Sequence, residues 1–306
     1  MEGVLLLNKP VGMTSHDCVA KMRRLAKTKK VGHTGTLDPD VTGVLPICLG
    51  KATKIVEYLT AASKTYEAEI TIGSSTTTED ASGEVVERKP VNKSISKEEV
   101  NQVLNAMIGT IEQIPPMYSA VKVNGKKLYE YARAGVEVER PARKITITEL
   151  VLISDITNDA DLTKFKFRVT CSKGTYVRTL AVMIGEKLGY PAHMSHLIRT
   201  KSGQFHLSDC LTFEQIEAAI ENGTLQRELL TIGQALKDLP NLVIHDTLAE
   251  KVKNGAVLNL PEPFQDIEAG SPIAIYSEDG RCIAIYSKHP AKPYLMKPVK
   301  VLYNET

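Results

Sequence analysis

The chain has 306 residues, 42% hydrophobic and 24% charged, ordinary values for a globular protein able to bury a substantial core. No apolar run reaches membrane-spanning length, and Val4-Leu5-Leu6-Leu7 is too short for a secretion signal before Asn8-Lys9-Pro10 ends it. Net charge is only +2, Trp is absent, and the five scattered cysteines form no C-x-x-C pair, which argues against wide stacking platforms, a zinc site and a disulfide framework, and favours a reducing cytoplasm.

VLLLNKP opens as a short strand. GMTSHDCVAKMRRLAK reads as a helix entered through Thr14 or Ser15 as N-cap, with Cys18, Met22 and Leu25 on its apolar face. Lys21, Arg24 and Lys27 fall elsewhere, available to solvent or phosphate. KKVGHTGTLDPDVTG (29–43) is a turn-rich loop. A buried apolar run follows at Val44–Leu49, then a helix around 52–61. TYEAEITIG alternates with period two and reads as a strand with Tyr66 near its start. STTTEDASGEVVE is a loop returning into another strand. Ser96, with Glu99 three residues later, caps a helix ending near Gly109. Asn124-Gly125 marks a hairpin. KITITELVLISDI and TKFKFRVTCSKG read as long strands, and helices follow at 176–189 and 212–221. Strands and helices do not alternate regularly, so the expected class is α+β with a mixed, largely antiparallel sheet.

After Pro240 the texture changes. HDTLAEKVKNG is a short helix stopped by Gly255, and SPIAIYSEDGRCIAIYS is a hairpin turning at Asp279-Gly280. The expected domains are 1–240 and a β-rich module at 241–306.

Charge is unevenly placed. Residues 21–30 hold six basic side chains and no acid, and Lys164 to Lys201 holds eight against one, Glu186. For any single run a solvated face is the ordinary explanation, but together the two suggest a footprint for a polyanion such as nucleic acid. In the loop 29–43, Asp38 sits between Leu37 and Pro39, where proline and glycine can hold a carboxylate in one geometry. Asp40 has the look of a solvated or capping aspartate.

Three elements, LLLNKPVGMTSHD, KVGHTGTLDPDVTGVLPICLGKATK and CSKGTYVRTLAVMIGEKLG, in this order and spacing closely resemble the bacterial-type tRNA pseudouridine synthase B family. KTYEAEITIG, TTTEDASG, PPMYSAVKVNGKKLYEYARAGVEVERPAR and HMSHLIRTKSGQF add to the match, and the tail resembles a PUA domain, an RNA-binding module. That family isomerises the T-loop uridine at conventional tRNA position 55. The reaction breaks the N1–C1′ bond, turns the uracil and joins C5 to C1′; it needs no redox step, so no cofactor is expected. The resemblance implies the pseudouridine synthase fold, with Asp38 as nucleophile and Arg178 as the cation that keeps it ionised. Tyr66 would stack on the uracil and serve as general base, with Tyr176 and Leu197 lining the same pocket. His33 would fill the place of the flipped base, and flipping costs roughly a few kcal/mol. Lys9 is structural or phosphate-facing, and Arg199 is a candidate substrate contact. Residues 115–143 resemble a thumb-like insertion whose Lys122, Lys126, Lys127, Arg133 and Arg140 would meet phosphates. No metal ligand set is apparent. The expected partner is the tRNA T-arm stem-loop, acted on by a cytoplasmic monomer without membrane or obligate protein partner.

Three alternatives stand beside this one. A guide-RNA-dependent synthase subunit would bring an extra N-terminal segment and lack the 115–143 insertion in this form. A noncatalytic RNA-binding or RNA-folding protein would use Asp38 structurally. A glycoside hydrolase would need a second carboxylate poised across a sugar ring; Asp40 is too close in sequence, and Glu79 and Asp80 are unplaced by sequence.

Overall fold

The computed structural model describes residues 1–159 and 161–302; the last four residues of the expected 241–306 module lie outside the described residues. Two compact units emerge, one built from Met1–Asp38, Val44–Ala61 and the chain from Ser208, the other from Pro39–Gly43 and Ala62–Leu207.

In the first unit, β1 (Gly3–Lys9) pairs with β3 (Thr42–Leu49), against which β2 (Val31–His33) runs antiparallel. Helix α1 (Ser15–Leu25) starts at Thr14, whose hydroxyl accepts from Asp17 N–H while the Asp17 carboxylate accepts from Thr14 N–H, a reciprocal capping box. Cys18, Val19 and Met22 pack with Leu5, Leu7, Leu45, Ile47 and Leu49 in one core. The helix expected around 52–61 begins instead as a 3-10 turn over Gly50–Ile55 and becomes α-helical at Val56–Ala61.

The second unit is a sheet of β4 (Lys64–Ile72), β5 (Gly109–Gln113), β6 (Arg143–Leu152), β7 (Leu162–Cys171) and β8 (Ala192–Ser202) in the order β8-β4-β7-β6-β5, all antiparallel. Thr42 and Gly43 add a parallel pairing beside Ile198 and Arg199 of β8, which makes the sheet mixed, as expected. One face carries Ala68, Phe167, Val169, Ile145 and Ile147, all buried. The opposite face is polar: Thr65 bonds Thr170, and Arg168 lies 3.4 Å from Glu149 and 4.0 Å from Glu67. Helix α2 (Lys97–Asn105) has the Ser96–Glu99 capping box, and α3 (Val177–Leu188) ends at left-handed Gly189. The close approach of α3 to β8 needs Gly185, where a Cβ would sit 2.3 Å from that of Ala192.

The first unit resumes with α4 (Phe213–Glu221), capped by Thr212, which adds Phe213 and Ile216 to its core. Beyond it a five-stranded sheet contains β9 (Asn241–Ile244), β10 (Ile273–Ser277), β11 (Cys282–Lys288) and β12 (Leu295–Val301), with helix α5 (Asp246–Lys253) and its own core around Ile273, Ile275 and Tyr286. The Asp279-Gly280 hairpin forms as expected. This sheet is fastened to the rest of the unit by Lys300, whose Nζ donates to Lys54 O at 2.9 Å and bonds the Glu57 carboxylate, while Lys54 Nζ donates to Val301 O at 3.0 Å. No helix among the described residues is long and apolar enough to cross a membrane.

Candidate active site

In the first unit the loop carrying Asp38 is fixed one residue earlier. Leu37 N–H donates to Ser15 Oγ at 2.9 Å, and that hydroxyl donates to the Leu37 carbonyl at 3.3 Å. Both residues are buried, so the first turn of α1 holds the backbone that presents Asp38. Asp38 is partly buried and Asp40 exposed, separating two aspartates that sequence leaves adjacent. Upstream, Thr34 N–H donates to Pro46 O at 3.2 Å. His33 Nδ1 accepts from Gly35 N–H at 3.3 Å. The His16 ring meets His33 edge-on at 5.5 Å, a neighbour not anticipated from sequence.

Lys9 has no exposed surface, and its Nζ donates to Pro10 O at 2.8 Å and Met13 O at 2.5 Å. Of its two expected roles, the structural one fits this geometry. Lys21 is not left to solvent or phosphate: it pairs with Glu217 at 2.9 Å and lies 4.2 Å above the Phe213 ring.

In the second unit two β-bulges in β8 decide which side chains meet. Residues 192 and 194 pair with Ile72 and Ile70, but the register shifts between Met194 and His196. That extra residue changes parity, so Leu197 lies opposite Ala68 and Arg199 opposite Tyr66. Directly opposed residues share a face. Tyr66, Leu197 and Arg199 therefore project from the same side of the ladder, the side of Ala68 and Val169. Tyr66 is half-buried, while Leu197 and Arg199 are buried. Arg199 was expected to contact substrate; at 1% exposure it is withdrawn into the sheet, next to Gly43, where a Cβ would come within 2.2 Å of the Arg199 carbonyl oxygen. Burial, with the Arg199 charge second, pushes the Lys64 ammonium on this face down to about 8.

The start of α3 gathers the remaining residues. Tyr176 is its half-buried N-cap residue. Arg178 does not face solvent: it is 6% exposed, donates from Nη1 to Thr78 O and from Nη2 to Tyr118 O, each at 3.0 Å, and stands 3.6 Å from Asp80 Oδ2. Thr179 donates to Glu79 Oε2 at 2.5 Å. Burial raises the Glu79 carboxyl above its ordinary range, while the Thr179 bond opposes that.

The loop supplying these partners is organised by Asp80. Its Oδ1 accepts from Thr78 Oγ1 at 2.7 Å, Ser82 N–H at 3.0 Å and Ser82 Oγ at 2.5 Å. Met194 N–H to Glu79 O and Ala81 N–H to Met194 O, both 3.0 Å, dock the loop on β8 beside the first bulge. Sequence left Glu79 and Asp80 unplaced; the T-x-D-x-S spacing of a side-chain-bonded turn was the available signal.

In the insertion, Asn124 and Gly125 take positive φ in the expected hairpin. Leu128–Arg133 form a short helix that the sequence reading missed. Lys122, Lys126 and Arg133 are exposed, and Tyr129 has Lys127 at 5.4 Å and Arg133 at 5.5 Å over its ring. Arg140 instead donates to Pro115 O at 3.0 Å and closes the base of the insertion. Among the described residues, no group of three or more His, Cys, Asp or Glu is placed to hold a metal.

Comparison with known proteins agrees with this architecture. Residues 23–177 match the model of the TruB family pseudouridylate synthase N-terminal domain, and residues 178–237 match that of the tRNA pseudouridylate synthase B C-terminal domain. The tRNA pseudouridine synthase B of Bacillus subtilis (strain 168) is 64% identical over 100% of this chain and 99% of its own length. That of Bacillus licheniformis is 63% identical over 99% and 98%. Among solved structures, a chain of a Cbf5-Nop10-Gar1 complex is 27% identical with TM-score 0.76, covering 98% of this chain and 85% of that one. A chain of an H/ACA ribonucleoprotein bound to a substrate RNA containing 2′-deoxyuridine is 25% identical with TM-score 0.73, covering 99% and 85%. The fold is that of the pseudouridine synthases, with a PUA-like β-rich C-terminal sheet. With family models spanning 23–237 and full-length relatives above 60% identity, the chain belongs to the TruB family of pseudouridylate synthases.

Proposed function

We propose that this protein is a tRNA pseudouridine synthase that isomerises the T-loop uridine at conventional position 55, acting in the cytoplasm as a monomer without guide RNA. Full-length relatives at 64% and 63% identity, both named tRNA pseudouridine synthase B, support it over a guide-dependent subunit, since the ribonucleoprotein chains are only 27% and 25% identical. The observation that carries the chemistry is the two-sided grip of Ser15 on Leu37, which holds a partly buried carboxylate, Asp38, in a proline-stiffened loop. In the reacting complex Asp38 attacks as nucleophile and Arg178 is its charge partner. Tyr66 stacks on the base and moves the proton, Tyr176 and Leu197 line the base's surroundings, and His33 takes the place of the flipped nucleotide. The exposed cations of the insertion and Lys27, Lys29 and Lys30 meet phosphates.

The test is conversion of an unmodified T-arm stem-loop by the purified protein, with pseudouridine read by nuclease digestion and mass-resolved nucleoside analysis. Conversion at the single T-loop uridine is expected. Activity only after guide RNA is supplied would contradict the stand-alone reading, and conversion of other loops would contradict the site.

A further inference from the structure

Gln113, the last residue of β5, is 2% exposed and takes no part in the chemistry proposed above. Its side-chain amide reaches Tyr176, sixty-three residues away, and bonds both polar groups of that residue's backbone. Tyr176 N–H donates to Gln113 Oε1 at 2.8 Å, and Gln113 Nε2 donates to Tyr176 C=O at 3.0 Å. A side-chain amide used in this way imitates a neighbouring strand for one residue, fixing φ and ψ together. Tyr176 sits at φ −99° and ψ 110°, extended, and the next residue is helical. The pair therefore holds the entry into α3, and with it the Cα–Cβ direction from which the Tyr176 ring projects. The Tyr176 carbonyl also accepts from Leu180 N–H at 3.0 Å, so the same oxygen starts the helix that carries Arg178.

Gln113 is also the last strand residue before the insertion that begins at Pro115. A second bond leaves the same stalk: the Tyr118 carbonyl accepts from Arg178 Nη2. The foot of the insertion thus grips Tyr176 through Gln113 and Arg178 through Tyr118. Resting on the proposed function, we infer that Gln113 is a positioning residue for pseudouridine formation, acting through Tyr176 and tying its ring to the base of the RNA-binding insertion.

The test is a double-mutant cycle of Gln113→Met with Tyr176→Ala, in the full-length protein on unmodified tRNA. Single-turnover rates are read at saturating RNA, with dissociation constants by filter binding and thermal unfolding on the same preparations. Gln113→Met keeps length and apolar bulk but removes both bonds. It is expected to slow the single turnover by on the order of tenfold or more, with the dissociation constant within about twofold. In the Tyr176→Ala background the same change should cost less than about twofold, because the ring it positions is gone. Equal losses in both backgrounds, or an unchanged rate in Gln113→Met, would overturn the inference. If Gln113→Met does not fold, Gln113→Glu, which keeps the shape and the acceptor but loses the donor, is put through the same cycle with the same two outcomes. A wild-type protein that makes no pseudouridine overturns the proposed function as a whole, whereas an active wild type with additive losses overturns the role of Gln113 alone.

Discussion

Arg178 and Asp80 form an ion pair 3.6 Å long, with side chains only 7% and 18% exposed. The arginine of α3 is thereby joined to the loop that docks on β8, and Asp80 serves both that pair and the turn from Thr78 to Ser82. Asp80→Asn keeps the turn's acceptor but removes the negative charge 3.6 Å from the Arg178 guanidinium. The expected result is a loss of about 1–3 kcal/mol in urea unfolding and a fall in single-turnover rate of on the order of tenfold or more, because one of the contacts that orient Arg178 is weakened.

Ser15→Ala removes the partner of both Leu37 backbone groups while leaving the helix cap, Thr14, in place. A buried N–H without an acceptor costs about 1–3 kcal/mol, measured by denaturant titration. Pseudouridine formation should slow more than tRNA binding weakens, since the loss falls on the placement of Asp38.

Gly43→Ala is expected to be severe. The residue has φ +109°, and an added Cβ would lie 2.2 Å from Arg199 O and 2.8 Å from Arg199 N. Both obstacles are backbone, so neither can swing away. A loss of at least about 3 kcal/mol, or failure to accumulate folded protein, is the expected outcome in thermal unfolding.

Glu79 gives a pH dependence of known sign. Its carboxyl is raised above 4.5 in the folded protein, chiefly by burial, so the folded state holds the proton more tightly than the unfolded chain. Its contribution to stability is full below about 4.5 and is lost as pH rises through the raised value. Glu79→Gln, which keeps a partner for Thr179, should remove this segment of the stability profile. Unfolding free energy followed from pH 4 upward should decline less in the variant than in the wild type. Parallel profiles would contradict the assignment to Glu79.

Much of the local structure was legible because it depends on neighbours in sequence. The Ser96 cap, the Thr14 cap that was one of two candidates, the Asn124-Gly125 and Asp279-Gly280 turns and the Gly189 and Gly255 helix ends lie where residue type alone puts them. The helix over Leu128–Arg133 escaped because its tyrosines and short length give no clear period. The bulge between Met194 and His196 also has no sequence mark, yet it turns Leu197 and Arg199 to the face of Tyr66. Lys21 read as open to solvent or phosphate and Arg199 as a substrate contact, because charge counts do not show burial or partners. Gln113 and Asp80 act on residues roughly sixty and a hundred positions away, contacts that only the folded sheet creates. The family motifs singled out Asp38 and Arg178, and the structure adds the Ser15 pin before one and the cage around the other.

The assignment of Asp38 as the nucleophile of uridine isomerisation is tested by label release from C5 of uridine in an unmodified T-arm stem-loop. Wild type should release one label per RNA. Asp38→Asn should release none above background while binding the stem-loop within about threefold of wild type. Equal release by wild type and Asp38→Asn would overturn the assignment of Asp38.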